Sequence, residues 1–133
     1  MIVTVKQEIT TFIVSKIPDL VGKVTTTYPS RDRFAPPSCV LDVTTTNSSL
    51  SLNKVEMAYG LVRVTVISDS PMQVDQLISN IRKYCLRSRN DSTLPTVKIF
   101  RSSNATPLIP AFEEEDEVWR RDVDLTVGWI DTT

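Results

Sequence analysis

Phe112 to Ile130 reads FEEEDEVWRRDVDLTVGWI: five adjacent acids, two arginines, then an alternating run. Glu113, Glu114, Glu115, Asp116 and Glu117 are oxygen donors of the kind that Mg²⁺ and Ca²⁺ accept. A calcium loop spaces its ligands and needs a glycine at its turn, and this run has neither, so it reads as a solvated acidic segment without a metal. Asp122 and Asp124 have the chemistry of an acid/base pair, but two residues apart on a strand they share the solvent face and have no recognisable partner. They read as surface charge. The chain has no histidine, which excludes Ser-His and Cys-His nucleophiles and every histidine metal site. Cys39 and Cys85 are far apart and form no CxxC pair; they read as small buried hydrophobes in a reducing compartment. Neither GxxxxGK[ST] nor GxGxxG occurs, and Gly22, Gly60 and Gly128 are the three glycines, so no phosphate-cradling loop is expected. The expectation is a protein that is not an enzyme and takes no cofactor.

The elements that must position these residues belong to a chain of 133 residues, one domain by the usual size relation. Such a domain buries roughly two-thirds of its unfolded surface. Net charge −1, with 23% charged and 41% apolar residues, gives no general reason to expect nucleic-acid or membrane binding. No apolar run approaches the ~20 residues of a membrane span. MIVTVKQEITTF lacks the basic start and apolar centre of a secretory signal, so the chain is expected to stay in the cytoplasm where it is made.

Two helices are punctuated at their starts. Thr4 and Gln7 have capping-box spacing, and Val5, Ile9, Phe12, Ile13 and Ile17 recur at helical intervals, predicting a helix over about 4–17. Ser70 can cap a second helix over about 71–86, with Pro71 at its first position and Gln73 completing the box. Met72, Val74, Leu77, Ile78, Ile81, Tyr84 and Cys85 form its apolar stripe; Gln73, Asp75, Gln76, Asn80, Arg82 and Lys83 form the opposite face.

Elsewhere the period is two. Strands are predicted at about 38–46 and 58–68, the second with Val62, Val64 and Val66 on one face, and at about 95–100 and 118–130. In the last, Trp119, Val123, Leu125, Val127 and Trp129 share a face with Arg121, whereas Arg120, Asp122, Asp124 and Thr126 share the other, taken as wet. The order α, β, β, α, β, β predicts an α+β fold, a mainly antiparallel sheet with two helices packed on one face. Long loops are expected at 25–37, 47–54, 87–94 and 102–117, the last carrying the acidic run.

Charge is unevenly placed. Residues 1–112 hold 13 basic and 8 acidic residues, and residues 113–133 hold 2 basic and 8 acidic. An acidic end and basic loops (Arg31 and Arg33; Arg87 and Arg89, with Arg82 and Lys83 before them) either satisfy each other within one chain or pair head to tail between copies, a contact that can close into a ring. The acidic run also discourages stray pairing along a β-rich edge.

The N-terminal helix, the loop TTTYPSRDRFAPP, the capped helix SPMQVDQLISNIRKY and the final strand WRRDVDLTVGW resemble, over essentially the whole chain, the small tail-terminator or tail-completion proteins of tailed bacteriophages. The resemblance implies a tail-terminator-like sandwich that adds as a hexameric ring to the head-proximal end of the tail tube. There it stops tube polymerisation and meets the head–tail connector or neck protein, while DNA passes through the lumen without sequence-specific binding. It implies a virion protein of the tail or neck, made in the host bacterial cytoplasm. Candidate subunit or partner contacts are Arg31, Arg33, Arg87, Arg89, Glu113, Glu114, Glu115, Asp116, Glu117, Arg120 and Arg121. Two alternatives stand beside it: a neck or head-completion connector, and a small cytosolic ligand-binding α+β domain with Tyr59, Arg63 and the acidic strand as its pocket.

Overall fold

Alternating Val, Leu and Trp on two long strands can be buried only if something apolar covers one face of the sheet, and two helices do so. In the computed structural model, residues 2–30, 35–50, 55–112 and 115–132 are described. Helix α1 is Ile2–Lys16, followed by a 3₁₀ turn at Pro18–Leu20. Strands β1 (Val24–Thr25), β2 (Ser38–Leu50) and β3 (Val55–Ser68) lead into helix α2 (Pro71–Leu86). Strands β4 (Val97–Ser102), β5 (Ile109–Phe112) and β6 (Glu115–Thr132) complete the chain.

The strands form one sheet in the order β1-β2-β3-β6-β4, with β5 also on β6, and every pairing but the short β1–β2 contact is antiparallel. The fold is α+β, with both helices on one face. Register explains the core: Val62 lies between Val43 and Leu125, and Val64 between Leu41 and Val123. Val5, Ile9, Phe12 and Ile13 of α1 and Val74, Leu77, Ile78, Ile81 and Cys85 of α2 pack on that face. A second, smaller cluster of Val40, Ile67, Ala111 and Val118 lies apart, joined by Phe112.

Several sequence expectations change. Helix α1 begins at Ile2, so Thr4 lies inside it and is not an N-cap. At α2 Ser70 does cap, its Oγ accepting the Gln73 N–H at 3.3 Å. Gln73, however, does not reach back to Ser70: its Oε1 accepts the hydroxyl of the fully buried Ser68, and Ser68 Oγ accepts the Ser70 N–H at 3.1 Å. A relay through Ser68 replaces the second half of the box. Met72 is 70% exposed and not part of the buried stripe, which begins two residues later at Val74. Strands β2 and β3 run on to Leu50 and from Val55, shortening the 47–54 loop. Glu115, Asp116 and Glu117 are strand rather than loop, since β6 starts at Glu115 and pairs with Phe112 of β5. Asp122 is not wet but 6% exposed.

Both edges of β6 are closed. β3 covers one along Ser68–Val55, and β4, the segment 103–108 and β5 cover the other. Within that segment Ser103 N–H and Thr106 N–H donate to the carbonyls of Asp124 and Asp122 at 2.8 and 2.9 Å. Their hydroxyls accept the N–H groups of the same two residues at 3.0 and 2.9 Å. The outer edge of β4 is blunted: Glu8 of α1 accepts the Val97 N–H at 3.1 Å, and a bulge follows between Ile99 and Arg101. The outer edge of β2 differs, because β1 covers only Cys39 and Val40.

Candidate functional site

The sheet face away from the helices carries, row by row across β2, β3 and β6, Asp42–Arg63–Asp124, Val40–Thr65–Asp122 and Ser38–Ile67–Arg120. Alternation brings these side chains together, since each is two residues from the next on its strand. Arg63 grips Asp124 with both arms of its guanidinium, Nε to Oδ1 at 3.0 Å and Nη2 to Oδ2 at 3.3 Å. Those hydrogen bonds and the negative charge of Asp124 push the Arg63 guanidinium further up from its already high value. Asp42 lies on the other side of Arg63 and adds a favourable charge without an ion pair among the described residues.

One strand row further on, Arg120 Nη2 is 4.0 Å from Asp122 Oδ2, a loose pair. Asp122 Oδ1 and Arg120 Nε are both buried without a hydrogen-bond partner among the described residues. The segment after β1 folds over this end. Tyr28 donates its hydroxyl to the Ala111 carbonyl at 2.5 Å, sets its ring edge-on to Phe112 at 5.8 Å, and stands 5.6 Å from the Arg120 guanidinium. Between Tyr28 and the sheet is a concavity of about 410 Å³ lined by Thr26, Thr27, Asp42, Arg63, Thr65 and Asp122, with Val40 and Arg120.

At the opposite end of the same face Tyr59 and Phe100 lie 6.3 Å apart over Gly128. A Cβ on Gly128 would come within 2.6 Å of Phe100 Cε2, so the bare glycine is what lets the ring lie down on the sheet. Along one face the chain thus presents a small apolar cluster, a charged concavity and an aromatic pair.

The residues nominated from sequence are scattered by this geometry. Arg120 joins the concavity. Arg121 points to the helix side, where its Nε is 2.8 Å from Asp75 Oδ1 of α2, a charge contact outside hydrogen-bond angles. Arg87 and Arg89 are exposed in the turns after α2, a segment that Lys16–Asp91 (2.9 Å) and the buried Leu94 tie to the helical layer. Glu117 is exposed on β6, and Glu115 and Asp116 are placed in its backbone. Arg31, Arg33, Glu113 and Glu114 lie outside the described residues. Of the proposed ligand pocket, Arg63 lines the concavity, whereas Tyr59 belongs to the aromatic pair. Sequence reasoning passed over Tyr28, Asp42 and Thr65. For Asp42 and Thr65 the signal available was cross-strand register, which needs the pairing of β2 with β3; Tyr28 is placed by tertiary contacts that no local pattern announces.

Among the described residues no group of three or more Cys, Asp or Glu is placed to hold a metal ion, and no helix is long and apolar enough to cross a membrane. Cys39 and Cys85 are free and buried in the core, and burial pushes both thiols up to about 12. No family model and no curated protein matches the chain. A chain in the solved structure "Virion of native gene transfer agent (GTA) particle" aligns over 92% of this chain and 94% of its own length, at 12% identity and a TM-score of 0.48.

Proposed function

We propose that this chain is a structural virion protein, a tail terminator that forms a ring at the head-proximal end of a phage tail, stops tube polymerisation and joins the tail to the head connector. The observation that carries the reading is the outer edge of β2. From Asp42 to Leu50 no described strand pairs with it, and its sequence, DVTTTNSSL, contains no lysine, no proline and one charge. The edge has one irregularity, between Val43 and Thr45, and from Thr45 to Leu50 it runs on in register; a long edge without lysine or proline is a template for a further strand. Here the edge fits a contact between copies or with the tail tube.

The open face supports the same role. Its arginines are spent on carboxylates of the same chain, Arg63 on Asp124 and Arg120 on Asp122, so it offers phosphates no continuous basic stripe. DNA in a lumen lined by such a face slides instead of binding. Six copies, the tail tube protein and the connector are the partners that the resemblance supplies.

Gold-labelled antibody on negatively stained particles from the source tests the proposal. Label at the head–tail junction is the expected result. Intact particles without label, with the protein confined to the soluble fraction, overturn it. A neck or head-completion protein would label the same junction, and the partner that co-purifies separates the two: tube protein for the terminator, connector alone for the neck protein. Replacing Glu113 to Glu117 by lysines tests the acidic segment by itself, with impaired joining to tails expected. Unchanged joining removes that segment from the contact.

A further inference from the structure

We propose that the concavity between Tyr28 and the open sheet face is a binding site for a cationic group rich in N–H donors, a guanidinium or a primary ammonium. Four observations converge on it. Asp122 is 6% exposed, lines the concavity, and keeps Oδ1 without a hydrogen-bond partner among the described residues. A buried carboxylate oxygen left unpaired costs free energy that a donor restores. Asp42 stands on the rim with no ion pair among the described residues, while Arg63 across from it holds Asp124 through Nε and Nη2. Thr65, between the two on β3, lines the floor and makes no hydrogen bond through its hydroxyl to a described residue. Finally, Asp42 and Asp122 line this space of about 410 Å³ together with Arg63 and Arg120, and Arg63 is taken up by Asp124 beyond the lining, which leaves Arg120, a loose partner, to balance two carboxylates.

A metal ion would need more converging ligands than the described residues bring together here. A neutral donor would pair the oxygens and leave the charge. A guanidinium or ammonium satisfies both, with donors directed at Asp122 Oδ1, Thr65 and Asp42. Two sources present that chemistry: a free small amine or guanidine, and an arginine or lysine side chain of a neighbouring copy. The site is independent of the virion reading, since it rests on one chain's side chains and not on the β2 edge.

The test is titration of the full-length ¹⁵N-labelled chain with methylguanidinium, and with methylurea as its uncharged counterpart. Saturable shifts at Thr27, Tyr28, Thr65 and Asp122, with a Kd on the order of millimolar, are expected for methylguanidinium alone. Asp122→Asn is expected to weaken binding at least fivefold, and Asp42→Asn, an exposed position whose change leaves the core untouched, about twofold. Shifts that never saturate, that methylurea reproduces, or that neither variant weakens overturn the proposal. Sedimentation in the presence of methylguanidinium then separates the sources. A fall in mass identifies a neighbour's basic side chain as the natural occupant, and unchanged mass identifies a free cation.

Discussion

Glu8 offers the sharpest test of how α1 and the sheet hold each other. Its carboxylate sits at the point where the chain enters β4: Oε1 accepts the N–H groups of Thr96 and Val97 at 3.0 and 3.1 Å, and Oε2 accepts the Thr96 hydroxyl. One helical side chain 88 residues away in sequence therefore closes the first outward-facing amide of the β4 edge. A hydrogen bond to a charged group contributes about 1.5–3 kcal/mol when well buried. These groups are half-exposed to exposed, so Glu8→Ala is expected to cost about 2 kcal/mol in total, most of it from the Val97 amide left on a strand edge. For a chain of this size that is a fall in Tm of about 8 °C. Glu8→Gln keeps a carbonyl oxygen for both amides and loses the charge and the acceptor for Thr96, so about half that loss is expected. Paired urea and thermal melts, with Thr96→Val as the second corner of a double-mutant cycle, give the number. A coupling of about 1 kcal/mol between Glu8 and Thr96 is expected. If Glu8→Ala lowers Tm by less than 2 °C, the carboxylate is a solvated surface group and the account of the β4 edge is wrong.

Asp91 predicts the acid behaviour. Hydrogen bonds from Thr93, then Lys16, hold its carboxyl down to about 2, from an ordinary value of 3.8. Because the folded value is the lower one, the unfolded chain binds more protons between these values. The contribution is therefore full above about pH 4 and is lost as pH falls towards 2. Urea midpoints measured between pH 5 and 2 should fall less steeply for Asp91→Asn than for the parent, and equal slopes would contradict the assignment. The thiols of Cys39 and Cys85, pushed up to about 12, should be silent to a thiol reagent at pH 8 in the native protein and should react at the rate of unfolding. Fast labelling of either would show that the core opens locally. Gly128→Ala puts a methyl group against the far end of the exposed Phe100 ring, which can swing away, so a cost within about 1 kcal/mol is expected together with a changed near-ultraviolet signal. Added to Phe100→Ala it should cost no more than Phe100→Ala alone, and additive losses would point to backbone strain instead.

What could be read from sequence and what could not divides along a physical line. The α+β class was legible because it rests on local signals: Ser70 and Pro71 mark a helix start, and Val62, Val64 and Val66 alternate against polar neighbours. The acidic run misleads because its charge density has the composition of a loop. Hairpin pairing of Phe112 with Glu115 draws part of it into β6, a tertiary constraint that outweighs composition. Asp122 misleads for a related reason. Alternation places it on the face away from the helices, and only the Tyr28 segment, arriving from about 90 residues earlier, makes that end of the face an interior. Charged residues are almost never buried unless paired, so a buried carboxylate with one loose partner is a place where the fold accepts a cost. Such costs persist most readily where something outside the chain repays them. The β2 edge, unpaired from Asp42 to Leu50 among the described residues, makes the same point in backbone form. Both lie on the side that the helices leave open, so partners are to be sought on that side first.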